Sequence, residues 1–101
     1  MSGARDSSPA IGLLMLDLFF PDAQSLKGKR SCTLPLMAQL RRDWNVSVAE
    51  TGDRDAWQRA TIAVAAVNTS SGEAHRTLDE IARSIERNHR LQLLDYSIEI
   101  I

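Results

Sequence analysis

Residues 46–67, VSVAETGDRDAWQRATIAVAAV, limit the possible folds of this chain more than any other stretch. In the first arm Val46 and Val48 alternate with Ser47 and Ala49, the period of a strand with one buried face. In the second arm Ala60, Ile62, Val64 and Ala66 share one face, while Arg59, Thr61, Ala63 and Ala65 share the other. The second face therefore carries only small or polar groups. Between the arms, Gly52, Asp53, Arg54 and Asp55 supply turn chemistry, glycine for positive φ and aspartate for bonding its own backbone. The stretch is predicted to be a β-hairpin with a long loop, onto which the rest of the chain must fold.

Residues 11–20 alternate in the same way. Leu14, Leu16, Leu18 and Phe20 form a predicted core face, and Ile11, Leu13, Met15, Asp17 and Phe19 form the other, until Pro21 ends the strand. A strand apolar on both faces lies centrally in its sheet or is covered by a partner. Ser25 suits the N-cap of a helix that runs towards Trp44, with Leu36, Met37, Leu40 and Trp44 as its buried stripe. Pro35 disfavours helical geometry at Leu34, so a kink or break is expected at residues 33–35, with the helix restarting from Pro35. Ser70 and Glu73 have the form of a capping box, and Ala74, Leu78, Ile81 and Ile85 mark a second amphipathic helix ending near Asn88. In the last segment Leu94, Tyr96, Ile98 and Ile100 oppose Asp95, Ser97, Glu99 and Ile101, a half-buried strand.

The order β-α-β-β-α-β is that of the ferredoxin-like split unit. An α+β fold follows, a four-stranded antiparallel sheet with two helices on one face. With 101 residues the chain suits one domain, here residues 10–101, behind a polar tail at residues 1–9 that reads as disordered. The net charge of −1 argues against the general basicity of non-specific nucleic-acid binders and leaves only a local basic patch open. One cysteine, Cys32, cannot form an internal disulfide and fits a reducing compartment. The longest apolar run is too short to span a bilayer, and the first residues lack the apolar core of a secretory signal. A cytoplasmic protein is expected.

Connectivity places residues 21–30, the hairpin loop at residues 50–57 and residues 88–91 at one end of the sheet. Lys27, Lys29 and Arg30 crowd the first turns of a helix there, where the macrodipole disfavours cations. Something anionic should be close. One reading is a bound phosphate or carboxylate, held by Ser25, Lys27, Lys29, Arg30 and Arg59; the other is neutralisation within the chain by Asp22, Asp53 or Asp55. Glu50, Asp53 and Asp55 lack the spacing of a calcium loop, and His75 and His89 lack a ligand spacing, so no metal and no cofactor is expected. Serine-nucleophile and P-loop patterns are absent, and no catalytic residue is assigned.

RNA-recognition domains of this topology stack bases on aromatics of their central strands, whereas here the open face offers only Phe19. Leu13, Met15 and Phe19, beside small residues, make an apolar patch of the kind that marks a protein interface, including a homodimer through the sheet. Trp57 and Gln58, closing the hairpin loop, are candidate partner contacts.

Two segments resemble the YlxP-like family, a group of small bacterial proteins carried as a domain of unknown function. PDAQSLKGKR is similar to its P-x-A-x-S-L-K-x-K-R segment, and NVSVAETGDRDAWQRATIAVA to its N-V-S-V-A-E-x-x-x-x-D-x-W-Q-R-A stretch. The resemblance covers residues 11–101 and implies a ferredoxin-like fold and no established reaction. It also implies a companion of translation, associated with the ribosome or with RNA. The matching positions are Ser25, Leu26, Lys27, Lys29, Arg30, Glu50, Asp55, Trp57, Gln58 and Arg59, and Pro35 is a departure in a helix otherwise free of proline. The expectation from sequence is thus a non-enzymatic accessory protein touching ribosomal RNA or ribosomal particles. The alternatives are a self-associating module without nucleic acid, and a small anion-binding domain or enzyme.

Overall fold

The computed structural model describes residues 8–101. Of the tail expected to be disordered, residues 1–7 lie outside the described residues. The elements are β1 (Ala10–Phe19), α1 (Leu26–Asp43), β2 (Val46–Gly52), β3 (Arg59–Asn68), α2 (Ser71–Glu86) and β4 (Gln92–Ile100). They build one antiparallel sheet in the order β2-β3-β1-β4, the ferredoxin-like arrangement. β1 and β3 pair along their whole length, from Ala10 opposite Asn68 to Phe19 opposite Arg59. The two strands with the most regular apolar alternation are therefore the central ones.

The inward faces are those the alternation predicted. Leu14, Leu16 and Leu18 of β1 and Ala60, Ile62 and Val64 of β3 are fully buried, against Leu36, Met37 and Leu40 of α1 and Leu78, Ile81 and Ile85 of α2. Both helices therefore lie on one side of the sheet. Close approach of α2 to β1 depends on Gly12, where an added Cβ would stand 2.7 Å from Leu78 Cδ1. Half of the expected capping box forms at α2: Ser70 Oγ accepts from the Glu73 N–H at 3.2 Å, while the Glu73 carboxylate pairs with Arg76.

Two expectations are corrected. The first helix neither breaks nor restarts at Pro35: α1 is continuous from Leu26 to Asp43. Proline deprives the Ser31 carbonyl of its helical partner, but Ser31 and Pro35 are on the exposed side, where water can replace the bond. Lys29 and Thr33 before the proline and Leu36, Met37 and Leu40 after it are all buried, so packing holds the two halves in line. In β4 the alternation slips. A bulge makes Leu94 an extra residue, since Asp17 pairs with Asp95 but Leu18 with Leu93. Leu93, not Leu94, packs against the core, together with Ile98.

Candidate functional site

The three loops predicted to meet do meet: Lys29 ties the start of α1 to the hairpin loop, and Arg90 borders a cleft shared with Asp22 and Gly28. The Lys29 ammonium lies within hydrogen-bond reach of four oxygens: Glu50 Oε2 at 3.0 Å and the carbonyls of Asp53 (2.8 Å), Arg54 (3.2 Å) and Arg59 (3.0 Å). Lys29 is 1% exposed, and the Glu50 side chain 15%. The sequence explains this placement. Lys29 falls on the inner stripe of α1, four residues before Thr33 and seven before Leu36. Glu50 continues the inward row of Val46 and Val48, opposite Ile62 of β3. A carboxylate forced to face a core demands a buried cation, and Lys29 supplies it.

This geometry corrects the reading of Lys29 as an anion contact. Its donors are spent inside the fold, and neutralisation comes from Glu50 and main-chain carbonyls, not from the carboxylates of Asp53, Asp55 or Asp22. Ser25 is likewise engaged: its Oγ caps α1 by accepting from the Gly28 N–H at 2.9 Å. Arg59 grips both oxygens of Asp17 across the sheet, at 2.9 and 2.8 Å. The Gln58 side chain donates to the Pro21 carbonyl at 3.0 Å, which holds the hairpin loop against the end of β1. Lys27 and Arg30 are exposed and have no ion-pair partner among the described residues. Trp57 stands 57% exposed over a shallow depression lined by Ala23, Gln24, Ala56, Gln58 and Arg59.

Sequence reasoning passed over one feature of this end. A cleft along the start of α1 is lined by Phe20, Asp22, Ala23, Gly28, Ser31, Cys32 and Arg90. Its cation is Arg90, from the loop before β4, not Lys27 or Arg30. Residues 88–91 were placed at this end by connectivity, but nothing in the spacing of a single arginine distinguishes it.

The opposite side of the sheet is uncovered among the described residues. In register across it run Ser47, Ala65, Leu13 and Glu99; then Ala49, Ala63, Met15 and Ser97; then Gly52, Thr61, Asp17 and Asp95. Leu13, Met15 and Phe19 are half-buried, Ile11 and Val67 more exposed. The bulky β1 row therefore runs as a ridge beside the small-residue row of β3. Among the described residues its one cation, Arg59, is already paired with Asp17, so an incoming polyanion meets Asp17, Asp95 and Glu99 there instead of free positive charge.

Residues 11–98 match the model of a family described as "Protein of unknown function (DUF503)". The "Uncharacterized protein YlxP" of Bacillus subtilis (strain 168) is 32% identical over 76 residues, which span 75% of this chain and 83% of that protein.

Proposed function

We propose a binding role without catalysis for this chain, which belongs to the DUF503 family of proteins of unknown function. The observation that carries it is the uncovered apolar side of the sheet. A ridge of Leu13 and Met15 beside Ala63 and Ala65 offers dry contact area and little charge, the composition of the centre of a protein interface. Trp57, exposed at the end of the same sheet, adds an aromatic anchor. The partner is a protein of the cytoplasmic translation machinery, and ribosomal particles are the first place to look because the family resemblance points there. Among the described residues no helix is long and apolar enough to cross a membrane.

A second reading, contact with ribosomal RNA phosphates, draws on the exposed Lys27, Arg30 and Arg90 at the loop end. Sedimentation of ribosomal particles from a lysate separates the two. The protein reading expects co-sedimentation that survives raised salt, is lost in Met15→Lys and persists when Lys27 and Arg30 are changed to alanine. The RNA reading expects steep salt dependence, loss with the Lys27 and Arg30 changes and indifference to Met15→Lys. If neither the wild-type chain nor any of the variants co-sediments, the ribosome is removed from the account.

A further inference from the structure

The two edges of the sheet are not alike. On β2 two outward groups are occupied: Val48 O accepts from Arg41 Nη2 at 2.8 Å, and the Val46 N–H donates to the Trp44 carbonyl at 3.0 Å. Among the described residues no other element covers the outer edge of β4. The Ile101 N–H donates to the Ile11 carbonyl at 2.8 Å, which fixes the parity of the ladder. Glu99 and Ser97 point their backbone groups at β1, and Ile100, Ile98 and Tyr96 point theirs outward. One of these outward groups is capped, the Tyr96 N–H, by the carboxylate of Asp95 at 2.9 Å. Tyr96 and Ile100 are exposed, and residues 95–100 contain neither lysine nor proline, the residues that commonly blunt an edge.

We propose that this edge is a pairing site for a second copy of the chain, β4 against β4 in antiparallel register about a two-fold axis at Ile98. This goes beyond the binding role of the open face, because it uses an edge and not a face. The sequence of the strand selects both occupant and register. Centred on Ile98, the pairing sets Ile98 on Ile98, Tyr96 on Ile100 and Ser97 on Glu99, so apolar groups meet on the helix side and no like charges face each other. A shift of the axis to Ser97 sets Asp95 on Glu99, and a shift to Glu99 sets two glutamates together. A shift to Tyr96 brings the bulged Leu94 into the ladder. All backbone groups pointing outward at Tyr96, Ile98 and Ile100 find partners, with Asp95 released from its cap. The result is one continuous eight-stranded sheet, with both open faces still on one side.

Sedimentation equilibrium of the full chain at tens of micromolar protein tests this. The expected mass is twice the 11.2 kDa of one chain. Ile98→Pro removes an outward donor without touching the β1 ladder and should halve that mass with an unchanged far-UV circular dichroism spectrum. A second measurement does not depend on the folding of that variant. Ser97 and Glu99 would be a closely spaced cross-strand pair, with Cα atoms about 4.5 Å apart and within disulfide reach. An oxidised equimolar mixture of Ser97→Cys and Glu99→Cys chains should therefore cross-link through these positions, while either chain alone should not. A monomeric wild-type chain overturns the proposal, and so does a mixture that fails to cross-link. A dimer dissolved by Met15→Lys but not by Ile98→Pro also overturns it, and leaves the open face as a binding surface.

Discussion

Replacing Lys29 by methionine keeps the length of the side chain and removes its charge, so it isolates what the ammonium contributes. Four oxygens lose this donor; the Asp53 carbonyl keeps the Ala56 N–H, but the Glu50 carboxylate, only 15% exposed, is left with little solvent in its place. Breaking a buried ion pair by deleting one partner costs about 3–5 kcal/mol, because the other charge is left uncompensated. For a domain of this size total stability is about 5–15 kcal/mol, so the loss is a large part of the whole. The midpoint of thermal unfolding should fall by roughly 15–30 °C. Urea titration followed by circular dichroism reads the same quantity as a lower midpoint at constant slope. A Glu50→Gln change in the Lys29→Met background should recover part of the loss, because it removes the stranded charge. If Lys29→Met costs less than about 1 kcal/mol, the value of an exposed pair, then the ammonium is not buried among these oxygens and the account of this end is refuted.

Four further outcomes follow from local geometry. Gly12→Val should destabilise by about 1–3 kcal/mol in urea titration, since the new Cβ would press on Leu78 in a filled core. Ser70→Ala should cost about 1 kcal/mol by the same assay, through loss of the bond from the Glu73 N–H. Asp53 sits at φ 58°, so Asp53→Val should cost roughly 1–2 kcal/mol while Asp53→Asn is tolerated. A hydrogen bond from Arg83 holds the Asp79 carboxyl below its ordinary range. A depressed folded-state pKa stabilises above the unfolded value and is lost as pH falls through the folded one, so Asp79→Asn should flatten the stability curve only below about pH 4.

Period-two alternation made the sheet legible because a strand with one buried face has to show it, and β1 and β3 do so without a break. What the alternation hid was a charged member of the inward row. Val46, Val48 and Glu50 share a face, and Lys29 shares the inner stripe of α1 with Thr33 and Leu36, so both halves of the buried pair were present as violations of pattern. Read singly, Lys29 groups with Lys27 and Arg30 as an anion contact, and Glu50 with the loop carboxylates Asp53 and Asp55. Pro35 misled because its local cost is real but is outweighed by the burial of α1 on either side of it. The bulge at Leu94 was not legible, because it depends on how β4 must bend to follow β1 and leaves no mark on the local alternation. The open face was readable residue by residue; only the register showed that the large row and the small row lie side by side.

The central claim is that the uncovered side of the sheet contacts a partner protein in the cell. Site-specific photo-cross-linking tests it most directly, with a photoreactive aromatic amino acid placed in turn at Ala63 on the open face, at Lys27 on the loop end and at Glu80 on the exposed side of α2. The account predicts a discrete adduct from position 63 that resists ribonuclease, and none from position 80. Adducts confined to position 27 and abolished by ribonuclease, with position 63 silent, would contradict it.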